Sequence, residues 1–121
     1  MREIKFRAWD LNEKKILSCE YLSRNGMYVD PYSGTIMCYD KDEEQLHQIN
    51  GLVIMQYTGL KDRNAKEIYE GDIINFEYSK QPRHGVVVFN GCMFGIDKYP
   101  LCNFDKIEIK GNIYENLGLA K

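Results

Sequence analysis

The sequence has no apolar run long enough to cross a membrane, no closely spaced cysteine pair and no excess of either charge. A spanning helix needs about 20 mostly apolar residues, and none occurs. The opening Met1-Arg2-Glu3-Ile4-Lys5-Phe6-Arg7 alternates charge with apolarity and has no apolar core after its charges, so it does not read as a secretory signal. The cytoplasm is therefore the expected compartment. Cys19, Cys38, Cys92 and Cys102 stand far apart, as do His47 and His84. Structural zinc sites show paired ligands at short spacing, so no metal and no cofactor are expected. The thiols read as reduced and mostly buried. Lys and Arg number 16 against 18 Asp and Glu, a net charge of −2. That excludes a strongly basic nucleic-acid binder but leaves room for a local basic patch.

What the chain does have is a core and many rings. It is 121 residues long, 44% hydrophobic and 12% aromatic, with nine tyrosines. This suits one domain of ordinary size or two very small ones. No internal repeat and no low-complexity linker is evident.

Period-two alternation dominates, which points to strands. Ile4, Phe6 and Ala8 fall on one face of a first strand, with Lys5, Arg7 and Trp9 on the other. Residues 10–14 read as a turn. Residues 15–22 read as a second strand with Leu17, Cys19 and Tyr21 on one face, and Arg24-Asn25-Gly26 as the turn that follows. Residues 27–30 and 35–39 flank Pro31-Tyr32-Ser33-Gly34 as a hairpin. Residues 40–49, acidic at their start, are the one candidate helix, with an acidic surface loop as the other reading. Residues 52–57 return to strand, and 58–66 read as polar turn. Residues 68–78 read as strand interrupted at Glu70-Gly71-Asp72, and 79–84 as a loop containing Pro82. Gly85-Val86-Val87-Val88-Phe89 is the most β-branched run, followed by Asn90-Gly91, a strong hairpin signal. The last strand, residues 106–114, places Ile107, Ile109 and Ile113 on one face, and a short fraying tail, 117–121, closes the chain. Many short strands with frequent turns predict a mainly β fold of antiparallel hairpins, with an SH3-like small β-barrel in the C-terminal half. Residues 1–50 would form a β-rich N-terminal lobe and 51–121 the barrel, in two lobes or one continuous domain.

Three blocks carry a resemblance. They are Met1-Arg2-Glu3-Ile4-Lys5-Phe6-Arg7-Ala8-Trp9-Asp10, then Met55-Gln56-Tyr57-Thr58-Gly59-Leu60-Lys61-Asp62-Arg63-Asn64-Ala65-Lys66-Glu67-Ile68-Tyr69-Glu70-Gly71-Asp72-Ile73-Ile74, and last Gly111-Asn112-Ile113-Tyr114-Glu115-Asn116. In that order they resemble the YopX family. Residues 15–50 and 76–107 carry no matching motif. Two positions depart from the family's common pattern: Ala65 stands where Gly is usual, and Leu117 where Pro is usual. Ala accepts positive φ poorly, so a tight turn at Ala65 is not expected. The resemblance implies an origin in bacteriophages or prophages and a mostly β fold with a small C-terminal barrel. It implies no catalytic residue and no cofactor.

Three functions follow from the residues. The first is a non-enzymatic interaction module that self-associates or binds a host or phage protein, because tyrosine and tryptophan are enriched in interfaces. Uncovered edge strands are a further means of association. The second is a nucleic-acid-associated accessory protein, in which Tyr78, Lys80, Arg83 and His84 form a basic and aromatic cluster that tracks a phosphate backbone and stacks a base. Outward-facing Phe89 and Phe94 would assist it. The third is a small metal-dependent hydrolase using Glu67, Glu70 and Asp72 with a divalent ion, against the plainer reading of a mixed-sign turn that also contains Asp62. Thr58-Gly59-Leu60 lacks the length and the Lys-Ser/Thr ending of a phosphate-binding loop.

Overall fold

The computed structural model describes residues 3–90, 93–96 and 99–116. The expectations placed on Gly91, Cys92 and the tail from residue 117 lie outside the described residues. The fold is mainly β, built from antiparallel pairings, and it divides into two compact units. Lys5–Met55 forms one. The chain from Gln56 onward, with Glu3 and Ile4, forms the other. The boundary thus falls between Met55 and Gln56, inside a strand, where the sequence reading placed it between 50 and 51.

In the N-terminal unit, β1 (Phe6–Asp10) and β2 (Lys15–Leu17) form a hairpin in the register Ala8↔Leu17, Asp10↔Lys15. Helix α1 (Cys19–Arg24) follows. This corrects the expected strand over residues 15–22, which stops at Leu17. The cause is Ser18, whose hydroxyl accepts the N–H of Tyr21 at 3.1 Å and caps the helix. Glu20 in the first turn and Arg24 in the last suit the helix dipole, and the helix buries Leu22. Strands β3 (Met27–Val29), β4 (Ile36–Asp40) and β5 (Gln45–Ile49) form a meander, and β6 (Leu52–Lys61) begins beside β1. The expected helix over residues 40–49 is therefore a turn and a strand. Asp40 Oδ1 accepts the N–H of Asp42 (2.9 Å) and Glu43 (3.3 Å), bonds that a helix start shares, but Glu44 at φ 54° turns the chain back and β5 pairs with β4.

Asp10 does the same for Asn12 (2.9 Å) and Glu13 (3.1 Å). Lys14 and Glu44 close the two turns at φ 55° and 54°. Asp10 pairs with Lys15, and Asp40 with Gln45. Residues 9–16 (Trp-Asp-Leu-Asn-Glu-Lys-Lys-Ile) and 39–46 (Tyr-Asp-Lys-Asp-Glu-Glu-Gln-Leu) are thus one hairpin design used twice, a short repeat that the sequence reading missed. The unit's core is Ala8, Leu17, Leu22 and Ile36, with Val29, Ile49 and Ile54 packed against it. Each large apolar side chain buried this fully contributes about 1.5–3 kcal/mol.

In the C-terminal unit β6 continues through residues expected as turn. It accommodates Gly59 at φ 88° by a register shift between Tyr57 and Lys61 against β7 (Glu67–Tyr69). β8 (Asp72–Tyr78) and β9 (Gln81–Val86) are joined by a two-residue turn, Ser79-Lys80, with φ 52° and 64°. Positive φ at both positions matches the right-handed twist of the strands it joins. The loop expected over residues 79–84 is therefore mostly strand. Pro82 fits because β9 is the edge of the order β13-β8-β9, and Pro82 sits one step past the closing pair Tyr78↔Gln81, where the N–H faces away from β8. The β-branched run breaks at Val87, which is buried. Its N–H donates to Asp72 O (2.9 Å) and its carbonyl accepts from Gly71 (2.8 Å). β10 (Val88–Phe89) then pairs with β11 (Phe94–Ile96), as expected for a hairpin at Asn90. β12 (Tyr99–Pro100), a 3-10 turn at Leu101–Asn103 and β13 (Asp105–Asn112) complete the unit. Two register shifts against β8 break the single apolar face expected for the last strand, leaving Ile107 and Ile109 on the core. That core is Ile68, Ile74, Phe76, Val87, Leu101 and Phe104.

Candidate functional site

The C-terminal unit carries a groove of about 360 Å³. Its floor is built by alternation along β8, which puts Ile74, Phe76 and Tyr78 on one face. The 3-10 turn delivers Phe104 onto that face, where its ring stacks on Phe76 with centroids 4.0 Å apart at 17°. Tyr78 meets Phe104 edge-on (6.0 Å, 85°) and Tyr99 at a tilt (4.9 Å, 51°). The four rings form a continuous chain from the core to the surface, and Tyr99 at its end is exposed. Each such contact adds about 0.5–1.5 kcal/mol beyond area burial. Gly95 makes this placement feasible, since a Cβ there would lie 2.1 Å from the Tyr99 carbonyl oxygen.

The wall is β9. Arg83 stands directly opposite Phe76 in the ladder and so shares its face. His84 stands opposite Asn75 on the other face. It reaches the groove's rim and also lines a shallower hollow with Ile73, Asn75 and Lys110. Lys80 sits in the turn and does not line the groove. The cluster Tyr78, Lys80, Arg83 and His84 is thus divided: Tyr78 and Arg83 converge, His84 borders, and Lys80 stands apart. Tyr99 and Phe104 were missed, because no local signal ties residues 20 or more positions apart to one groove; Phe76 was missed although its alternation with Tyr78 along one strand puts both on the same face. Phe89, exposed and packed edge-on against Phe94 (5.0 Å, 60°), is not among the groove's lining residues.

The acidic central block has a different use. Asp62, though buried, accepts three backbone N–H groups: Asn64 (2.9 Å) and Lys66 (2.9 Å) on Oδ1, and Ile109 (3.1 Å) on Oδ2. Burial opposes its ionisation. The donors at Ile109, Lys66 and Asn64, with the charge of Lys66, outweigh this and hold its pKa below the ordinary 3.8. Asp72 accepts Tyr69 N–H (2.8 Å) and Glu70 accepts Gln56 N–H (2.9 Å). These carboxylates hold corners of backbone. Ala65 adopts φ 65° within the Asp62 turn, and its N–H donates to Asp62 O at 3.0 Å. The tight turn is therefore made in spite of the Ala, against expectation. Ala accepts the strain because the Asp62 side chain fixes both ends of the turn.

In the N-terminal unit one grouping of three ligand-type atoms occurs among the described residues: Asp40, Glu43 and His47, within 4.8 Å of one another. His47 Nε2 lies 3.0 Å from Glu43, and Asp40 is already engaged as the turn cap. The outer face of the β3-β4-β5 sheet is more distinctive. Tyr28 pairs with Met37, and Tyr39 with Leu46, which places all four on the side away from Ile36 and the core. Tyr28, Tyr39 and Leu46 are 45%, 47% and 55% exposed. Tyr32, at the tip of the β3–β4 connection, is 99% exposed.

The family model described as YopX protein matches residues 5–121. No curated protein matches the chain. Among solved structures, protein EF1440 from Enterococcus faecalis is similar, with a TM-score of 0.66 and 24% identity, over 100% of both chains. Protein yopX from Bacillus subtilis is similar with a TM-score of 0.60 and 18% identity, again over 100% of both. At these identities the two structures speak to the fold.

Proposed function

The chain belongs to the YopX family, and from that membership we propose that it is a phage- or prophage-encoded, non-enzymatic interaction module acting in the host cytoplasm. Its C-terminal unit reads as the SH3-like small barrel. In support, β13 returns to pair with β8, and a 3-10 turn leads into it. The observation that carries the functional reading is the patch Tyr28, Met37, Tyr39 and Leu46, with Tyr32 beyond it. Aromatic residues and Met are enriched in protein interfaces, and a contiguous exposed apolar face calls for a partner more strongly than scattered residues do. Beside it β5 presents Gln45-Leu46-His47-Gln48-Ile49, an edge with no Pro, no Lys and no bulge to discourage strand addition. The occupant is a second copy or a host or phage protein.

The test is affinity capture of the tagged protein from host lysate in nuclease-treated and untreated halves, with sedimentation of the purified chain. The double variant Tyr39→Thr/Leu46→Thr runs alongside. Thr is a good strand residue and both positions are exposed, so the fold is retained. A partner or self-association that survives nuclease and is lost in the variant is the expected result. A monomer that captures nothing removes the reading.

A further inference from the structure

We propose that the groove of the C-terminal unit binds single-stranded nucleic acid, stacking a base on Tyr99 and Tyr78 while Arg83 holds a phosphate. This site lies in a different unit from the tyrosine face and does not depend on it. Three observations converge. First, the groove has a chain of rings that runs from the buried Phe76 and Phe104 through the partly buried Tyr78 to the exposed Tyr99. Stacking on such an aromatic surface tolerates any base. Second, Arg83 shares the groove face and is exposed, and its guanidinium has no hydrogen bond or ion pair among the described residues. Glu77, the carboxylate next along β8, faces the other side of the sheet and pairs with Lys106 at 3.4 Å. Third, among the described residues the groove's lining includes Arg83 and His84 and no carboxylate, and Lys80 stands at the turn leading into the same strand. This complementarity to an anion with rings distinguishes nucleic acid from a neutral peptide. The volume, about 360 Å³, is at the small end of ligand sites, suited to one ring system with its phosphate. The chain's net charge of −2 limits the contact to this local patch.

The experiment is fluorescence anisotropy of the whole chain with labelled oligothymidylate and oligouridylate about a dozen nucleotides long, at about 50 and 200 mM salt. Binding that weakens with salt is expected. Arg83→Gln makes the dependence of log affinity on log salt shallower by about 0.7. Tyr99→Ala weakens binding by about 5- to 100-fold. Lys41→Gln, an exposed charge on the β4–β5 turn, leaves it unchanged. Should Tyr99→Ala lower the melting temperature, Arg83→Gln decides, because the exposed Arg83 guanidinium makes no hydrogen bond or ion pair with the described residues. The proposal is overturned by no binding of either probe at the lower salt, by equal loss in Lys41→Gln, or by full binding in a folded Tyr99→Ala. It is also overturned if a glutamate-rich aromatic peptide binds and the oligonucleotides do not.

Discussion

Asp62 and Ile109 are 47 residues apart in sequence and joined by one hydrogen bond, from the Ile109 N–H to Asp62 Oδ2 at 3.1 Å. The same carboxylate closes its own turn through Asn64 and Lys66, so a single side chain ties the β6–β7 connection to β13. Hydrogen bonds to an ionised acceptor are worth about 1.5–3 kcal/mol each, and a buried donor left without a partner costs about 1–3. Asp62→Ala is expected to destabilise the chain by about 2–4 kcal/mol in urea unfolding. Asp62→Asn should cost less, because its carbonyl can still accept from Asn64 and Lys66 while its NH₂ faces the Ile109 donor.

The depressed pKa of Asp62 gives this bond a pH signature. A carboxylate whose folded pKa lies below its unfolded value near 3.8 adds stability that is present above that value. The contribution fades as pH falls through the folded pKa. The urea midpoint should therefore drop on acidification below about pH 4, and part of that drop should be missing in Asp62→Asn. Glu108, whose pKa is lowered by its hydrogen bond and charge contact with Lys110, acts in the same direction; the Asp62 charge opposes that lowering, so Glu108 contributes slightly more in Asp62→Asn and offsets part of the difference. Parallel acid profiles for the two proteins would contradict this role.

Ala65 sits at φ 65° where glycine would be unstrained. Ala65→Gly should raise stability by about 0.5–1 kcal/mol, the relief of left-handed strain less the greater freedom of glycine in the unfolded chain. A lower midpoint would mean that the methyl packs usefully.

Ser79-Lys80 makes a two-residue turn with positive φ at both positions, the geometry that Asn-Gly favours. Replacing the pair by Asn-Gly should add about 1 kcal/mol and leave the Tyr78↔Gln81 register in place. Amide exchange across β8 and β9 would report both.

Gly95 and Gly85 offer a contrast. A Cβ at Gly95 meets the Tyr99 backbone at 2.1 Å, whereas at Gly85 it meets the end of the Ile96 side chain at 2.8 Å. Gly95→Ala should cost more than about 2 kcal/mol and displace Tyr99. Gly85→Ala should cost about 1 kcal/mol or less, because a side chain can yield where backbone cannot. Equal costs in thermal unfolding would contradict the close approach.

Much of this fold was readable from local chemistry. The Pro31–Gly34 hairpin, the Asn90 hairpin and the break at Glu70-Gly71-Asp72 all came from turn residues whose backbone preferences act within a few positions. Errors arose where a polar side chain chose between two local options. Ser18 turned an alternating segment into a helix, and Asp40, with Glu44 at φ 54°, closed an acidic one into a hairpin. Both signals were in the sequence, but at the cap and not in the periodicity. The groove was half readable. Tyr78 and Arg83 lie on neighbouring strands joined by a short turn, and their convergence follows from it. Tyr99 and Phe104 arrive through the β11–β12 pairing and the 3-10 turn, which no pattern of residues near Tyr78 announces.

The hairpins opened by Asp10 and Asp40 bear on the order in which the chain folds. Each is specified within eight residues by a carboxylate that organises its own turn. Such hairpins can form in microseconds, before any distant segment arrives. Pairing of β13 with β8 must instead close a loop from Glu77 to Asp105 and then carry two register shifts along the paired strands. Long loops of this kind lower folding rates. The slow step of folding is thus expected in the C-terminal unit, with the bond between Asp62 and Ile109 formed after it. Substitution of Asp62 should accordingly speed unfolding far more than it slows folding.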